Sequence, residues 1–377
     1  MEDDVAMTDQ LAATPTVHTP AFDAAIDILR APFPGSNTNP VSRAIDWILR
    51  GTSQVVFQSN WLTGLAILIG IGINSRVYLV AAVLGVAVST ATGLLLGTDR
   101  GLIDAGLLGF NGCLLGIGIN AYLSKDFTAG QWPDARLYVY IIVGAAMTTV
   151  MFSAIGSLLG VFKVPALTAP FVFTAWIFIF ATLKFGALHP GPLLVGGIPT
   201  HVGPHAAYVG QTWFQGTFKG VAEIFFQDNW KSGIVIAAGI ALNSRISAIM
   251  GVAGSLAGVA VAMMYGADEG LIRIGLFGFN ASLTAMALGG FFFVLNVRGV
   301  FYTAFGTLVT VWTWATLSVW LAPIGMPTYT SAFVIVGWFF IIGKAGFMGV
   351  TPVAPADTTY PEDHFRRWRS GTLADGR

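Results

Sequence analysis

Phe57-Gln58-Ser59-Asn60-Trp61-Leu62-Thr63-Gly64 and Phe226-Gln227-Asp228-Asn229-Trp230-Lys231-Ser232-Gly233 are one element written twice, 169 positions apart. The same offset relates Asn74-Ser75-Arg76 to Asn243-Ser244-Arg245, and the run GLIDAGLLGFNG from Gly101 to GLIRIGLFGFNA from Gly270. A constant offset held over about 55 residues marks an internal duplication, and a duplication decides the architecture before any local propensity is weighed. In an apolar chain it directs attention to the junction of the two halves as a transport pathway.

The chain is apolar throughout. Of 377 residues, 55% are hydrophobic and 10% charged, and the mean hydropathy is +0.72, which is more apolar surface than a soluble domain of this length can hide. The reading is therefore an all-α polytopic membrane protein. Forty-six glycines suit helices that approach closely in lipid, where packing replaces the hydrophobic drive. A net charge of zero gives no reason to expect a nucleic-acid partner. The single cysteine, Cys113, lies in an apolar run and reads as a packing residue.

Residues 1–40 are polar and rich in proline and threonine, with no basic stretch or cleavage site ahead of the first apolar run, so they read as a disordered tail. After an amphipathic lead-in at 44–50, apolar runs occur at 54–73, 77–96, 102–123, 137–161 and 167–183, then at 223–242, 246–265, 271–294, 300–321 and 331–348. Most approach the ~20 residues that a spanning helix needs. The expected organisation is a first membrane repeat at 41–188, an extramembrane linker at 189–212, a second repeat at 213–350 and a cytoplasmic C-terminal tail at 351–377. Five segments per repeat reverse the side from which the second copy starts. The expected fold is thus two inverted five-helix repeats around a central pore, related by an axis in the membrane plane. Lysine and arginine are in moderate excess on the side holding Arg43, Arg50, Arg100, Lys163, Arg245, Arg298, Arg366, Arg367 and Arg369, which places both termini in the cytoplasm.

Two segments of each repeat depart from plain spanning helices. The glycine-dense third segments follow charged pairs, Asp99-Arg100 and Asp268-Glu269, and can dip in and turn where their backbone lines a cavity. The fifth segments open with Pro165-Ala166-Leu167-Thr168-Ala169-Pro170-Phe171 and Pro327-Thr328-Tyr329-Thr330-Ser331-Ala332-Phe333. Prolines there break the chain, putting Thr168 and Thr330 near two helix starts beside unpaired backbone amides.

Taken together, the duplicated Gly-Phe-Asn core with a following leucine, the two proline-threonine-phenylalanine elements and the Gln54/Glu223 openings, each three residues before a phenylalanine, resemble the urea transporters in their bacterial branch. The resemblance runs over roughly Ser53 to Met348. It implies passive movement of urea, a homotrimer with one pore per protomer, ten spanning helices with two re-entrant segments, and a bacterial inner-membrane location. No cofactor or metal is expected.

The residues support that chemistry on their own terms. Gln54 and Glu223 precede Phe57 and Phe226 by three positions, a spacing that sets an acceptor oxygen beside an aromatic plate on a shared helix face. Phe110 and Phe279 offer opposing ring faces, and Leu114 and Leu283, four positions on, extend the slot. Thr168 and Thr330 supply hydroxyls that both donate and accept at the narrow centre. These ten residues are the expected substrate-binding set. Plainer readings compete with each: Glu223 pairing with Lys219 at the interface, Gln54 satisfying a neighbouring helix, phenylalanines that only pack, threonines that only cap. Gln58, Asn60, Gln227 and Asn229 are read as fixing helix ends or the repeat interface, and Asn111 and Asn280 as tying a turn.

His189, His201 and His205 fall in a Pro/Gly-rich stretch without cysteine or carboxylate partners and read as loop. The basic, aromatic PEDHFRRWRSG from Pro361 is expected at the headgroups. The second repeat lacks the counterpart of Pro170, which leaves the start at Thr330 less firmly marked. A proton-coupled carrier using Glu223, or a channel for small amides or ammonia, remains the alternative function. An intramembrane enzyme finds no histidine inside a predicted span.

Overall fold

The computed structural model describes residues 28–123, 134–188, 191 and 196–373. Most of the polar tail, Lys125 and His189 lie outside the described residues. Within them the regular secondary structure is helical, apart from one isolated bridge between Phe293 and Pro352. The first repeat runs α1 (Pro40–Ser53), α2 (Trp61–Asn74), α3 (Arg76–Leu95), α4 (Arg100–Asp104), α5 (Gly109–Leu123), α6 (Ala135–Gly160) and α7 (Ala169–Ala181). The second runs α8 (Gly210–Glu223), α9 (Trp230–Asn243), α10 (Arg245–Met264), α11 (Glu269–Arg273), α12 (Phe279–Met286), α13 (Val297–Leu321) and α14 (Ser331–Gly343), followed by α15 (Pro361–Arg369). Four of them, α3, α6, α10 and α13, are long and apolar enough to cross a bilayer unaided. Apolar side chains such as Leu95, Leu158, Phe301 and Phe339 are exposed on these and neighbouring helices, as a lipid solvent requires. The protein is an all-α polytopic membrane protein.

The duplicated motifs turn out to be helix punctuation. Asn60 and Asn229 cap α2 and α9 by accepting from the amides of Thr63 and Lys231, both at 2.9 Å. Ser75 and Ser244 cap α3 and α10 through the amides of Tyr78 (3.2 Å) and Ser247 (3.0 Å), so each Asn-Ser-Arg is a one-residue corner between two helices. Asp99 and Asp268 cap α4 and α11 in the same way.

One boundary moves. The first run of each repeat is not a continuous helix from Gln54 or Glu223. The amphipathic lead-in is itself a 14-residue helix, α1, which ends in a short 3-10 turn at Gln54–Val56. The chain then reverses at Phe57, whose φ is +62°, and α2 leaves at 78° to the α1 segment. Phe226, at +59°, makes the same corner after α8. Gln54 and Phe57 therefore do not share a helix face as their spacing suggested, nor do Glu223 and Phe226; each pair brackets a corner. The corners are tight. A Cβ on Gly64 would lie 1.9 Å from the Leu49 carbonyl oxygen, and one on Gly233 would lie 1.8 Å from that of Phe218. Only glycine permits that approach.

The halves are joined about a pseudo-twofold axis, because their contacts are reciprocal. The Asn74 amide donates to Gln227 Oε1 at 3.0 Å, and the Asn243 amide donates to Gln58 Oε1 at 2.6 Å. Each bond is the other's image under the 169-residue offset. Ile67 and Ile71 of α2 are buried together with Ile236 and Ile240 of α9, and Thr63 Oγ1 donates to the Gly239 carbonyl at 2.8 Å. Isologous pairing of this kind is what two copies of one surface generate.

The C-terminal segment docks on the second repeat, which places its acidic residues in protein contacts that the headgroup reading did not anticipate. Glu362 accepts from Ser244 Oγ and from the Ile246 amide, both at 2.9 Å, and so adds a carboxylate to the amino end of α10. His364 is buried, bonded through Nδ1 to the Gly290 carbonyl at 2.7 Å, while its Nε2 accepts from the Thr359 amide at 2.8 Å. Burial pushes its pKa below the ordinary histidine range, only partly opposed by the Gly290 carbonyl.

Candidate functional site

The centre lies where α7 and α14 begin. Each helix has 13 residues, roughly 20 Å at 1.5 Å per residue, and so falls short of a ~30 Å hydrocarbon core. Thr168 and Thr330 are their N-cap residues, and Thr168 Oγ1 lies 2.7 Å from Thr330 Oγ1. The two threonines are buried, at 2% and 3% exposure, and as counterparts in the two repeats they meet directly. Residues immediately before them are held in the left-handed region: Leu167 at φ +51° and Tyr329 at φ +48°.

Asparagines clasp these turns. Asn111 accepts from the Phe171 amide at 3.1 Å and donates to the Leu167 carbonyl at 3.4 Å. Asn280 accepts from the Phe333 amide at 3.0 Å and donates to the Tyr329 carbonyl at 3.1 Å. Across the axis, Trp176 donates to the Pro327 carbonyl at 2.8 Å and Trp338 to that of Pro165 at 3.0 Å. Both asparagines thus tie turns, as their recurrence suggested. The unpaired amides expected beside the threonines are not free: Phe171 and Phe333 bond the asparagines, while Ala169 and Ser331 bond Ala166 and Thr328. What the centre offers is the hydroxyl pair.

Chemistry recurs on either side. Gln54 donates its side-chain amide to the Ala105 carbonyl at 2.8 Å, which fixes its orientation and leaves its carbonyl oxygen as an acceptor. Glu223 is half-buried. Lys219, the partner named by the plainer reading, makes its ion pair with Asp228, at 2.6 Å. The Glu223 carboxylate has no hydrogen bond or ion pair among the described residues.

Aromatic rings gather at both corner phenylalanines. Phe57 lies 5.0 Å from Phe291, 5.9 Å from Phe292 and 6.0 Å from Phe333. Phe226 lies 6.2 Å from Phe171 and 6.0 Å from Tyr329, and Tyr329 lies 5.3 Å from Tyr122. Phe171 and Phe333 are images of each other, as are Tyr122 and Phe291, so the two clusters are one design built twice. Phe110 and Leu114 lie one turn apart on α5, with Phe279 and Leu283 likewise on α12; the phenylalanines are 7% exposed and the leucines fully buried. Phe110 packs edge-on against Phe152 at 6.0 Å, and no ring contact joins it to Phe279 among the described residues.

Among the described residues, five non-glycine positions have positive φ: Phe57, Lys163, Leu167, Phe226 and Tyr329. Four of them are the corner phenylalanines and the residues before the threonines. Bulky residues rarely adopt this conformation, and clustered backbone strain of this kind accompanies functional sites. The positions that the sequence did not single out are Tyr122, Tyr329, Phe171, Phe291, Phe292 and Phe333. Phe171 and Phe333 carried a signal in the duplicated proline elements; Tyr122 and Phe291 are paired only by the offset.

Comparison with known proteins identifies the family of the chain. The family model described as urea transporter matches residues 45–345. Urea transporter 1 of Ovis aries is 31% identical over 324 residues, covering 85% of this chain and 82% of its own length. The Mus musculus protein of the same name is 30% identical over 334 residues, covering 86% and 83%, and that of Rattus norvegicus is 29% identical over 333 residues. With most of its length matched, both broken segments included, the chain belongs to the urea transporter family.

Proposed function

We propose that this protein conducts urea passively, down its gradient, along a pathway between its two repeats. The observation that carries the reading is the buried Thr168–Thr330 hydroxyl pair, where the two repeats meet, flanked on each side by an acceptor oxygen and an aromatic cluster. Urea is flat and neutral, with four N–H donors and one carbonyl acceptor. Gln54 and Glu223 accept from its N–H groups at the two mouths, and Phe57 and Phe226 set aromatic surfaces beside them. Phe110, Leu114, Phe279 and Leu283 narrow the slot. At the centre the hydroxyls exchange their mutual bond for bonds to the solute, since each both donates and accepts.

A hydrated ion finds no compensation for its lost water among rings and neutral hydroxyls, whereas urea gains weak, repeated bonds from which it escapes readily. Glu223 is the one carboxylate in this set, and the acid near it, Asp228, is held in an ion pair with Lys219 at 2.6 Å, which argues against a proton relay. We further propose a homotrimer with one pathway per protomer, in a bacterial inner membrane, with both termini cytoplasmic and the repeats inverted. Proteoliposome swelling with urea, formamide, acetamide and glycerol tests the substrate: urea is expected to enter fastest. Faster entry of glycerol or an amide than of urea would transfer the assignment to another solute.

A further inference from the structure

The two repeats differ at the position before the central threonine. The first carries Leu167 and the second Tyr329, both in the left-handed conformation, at φ +51° and +48°. Leucine fills its place without polar consequence. Tyrosine brings a hydroxyl into a site that is 4% exposed, and that hydroxyl has no hydrogen-bond partner among the described residues. Its ring is enclosed by Phe171 at 5.0 Å, Tyr122 at 5.3 Å and Phe226 at 6.0 Å. Gly118 lets α5 lie against this cage, since a Cβ there would meet Phe171 at 3.2 Å and Phe226 at 3.3 Å.

A buried, unmatched hydroxyl is unfavourable to keep, and phenylalanine would fill the same space without it. The backbone at this position is also strained, and such strain persists only where surrounding structure enforces it. Tyr329 meets these two costs beside Phe226 and one residue from Thr330. The acceptors at the mouths, Gln54 Oε1 and the Glu223 carboxylate, engage N–H groups and leave a carbonyl oxygen to be matched elsewhere. A phenol donates to such an oxygen.

Resting on the urea reading, we infer that the Tyr329 hydroxyl is a specificity-determining contact, donating to the solute carbonyl between Phe226 and the Thr168–Thr330 pair. The pathway is then chemically asymmetric. Beside the threonines its Phe226 side carries a phenol donor, while the matching position in the other repeat is Leu167 and the rings around Phe57, those of Phe291, Phe292 and Phe333, carry no hydroxyl. The selected class is small solutes with a strong carbonyl acceptor, and thiourea, whose sulfur accepts weakly, is the matched control.

The test is Tyr329→Phe, with Leu167→Phe as its counterpart in the other repeat, assayed for urea and thiourea flux and for thermal unfolding without solute. Loss of one donor should lower urea flux roughly fivefold to tenfold. Thiourea flux should change little, so the urea-to-thiourea ratio falls, and the melting temperature should hold or rise. Leu167→Phe should leave the ratio alone. An unchanged ratio in Tyr329→Phe, or a lowered melting temperature with both fluxes reduced alike, would make the hydroxyl structural and overturn the inference. Absence of urea flux in wild type would instead remove the functional reading beneath it.

Discussion

Replacing Thr168 and Thr330 together with valine probes the centre directly, because valine keeps the branched shape and removes only the hydroxyls. In the structure those hydroxyls lie 2.7 Å apart and buried, so a passing solute must separate them and bond them in turn. Two contacts are lost in the mutant, each about 1–3 kcal/mol when a buried polar group goes unmatched. Against this, the mutant no longer breaks an internal hydrogen bond with a net worth of about 0.5–1.5 kcal/mol. The difference leaves the barrier higher by about 0.5–1.5 kcal/mol at the conservative end, or roughly twofold to tenfold slower flux, since each 1.36 kcal/mol is a factor of ten. Stopped-flow light scattering on proteoliposomes reads this, with protein incorporation and melting temperature measured in parallel. Urea flux at the wild-type rate from a folded double mutant would refute the assignment of these threonines to the pathway.

Three further outcomes follow from the fold. Gly64→Ala places a methyl group against the Leu49 carbonyl, and Gly233→Ala does the same against the Phe218 carbonyl; each should cost about 3 kcal/mol, the upper end for overpacking, and depress the yield of folded protein, read by detergent size-exclusion and thermal melts. Burial holds His364 neutral, so the docked pKa lies below the undocked one near 6.5. Docking of the C-terminal helix is therefore fully stable above about pH 6.5 and weakens as pH falls below it, until the docked value is passed. Hydrogen exchange across 354–373 at pH 7.5 and 5.5 should show the loss of protection, after correction for intrinsic rates, and equal protection would contradict it. In a Cys113→Ala background, cysteines at Arg76 and Arg245 should react with impermeant reagents from opposite membrane faces; reaction from one face only would sink the inverted relation of the repeats.

The duplication, the apolar segments and the two central threonines were legible because each leaves a periodic or paired trace in the sequence. The corner at Phe57 was not. Apolar residues run through it, and the left-handed turn there is taken by a phenylalanine where glycine would have given warning. The cap at Asn60 was visible as a recurrence, but its consequence, a new helix at 78° to the last, depends on packing of α2 against α9. The aromatic clusters were still less accessible. Tyr122 and Tyr329 are far apart in sequence, and only the fold of α5 over the start of α14 brings their rings to 5.3 Å. The offset also falls from 169 for the Gly-Phe-Asn core to 162 for the threonines, which hides the pairing of Leu167 with Tyr329 from a search at one spacing.

The central claim is passive conduction without coupling, and urea uptake by wild-type and Glu223→Gln proteoliposomes, with and without an imposed proton gradient, tests it most directly. Glutamine keeps an acceptor oxygen at this mouth, as Gln54 does at the other, and abolishes titration. The expected result is downhill flux that stops at equal concentration, is indifferent to the gradient, and is largely retained in Glu223→Gln. Uphill accumulation driven by the gradient in wild type and lost in Glu223→Gln would make the protein a proton-coupled carrier and contradict the account.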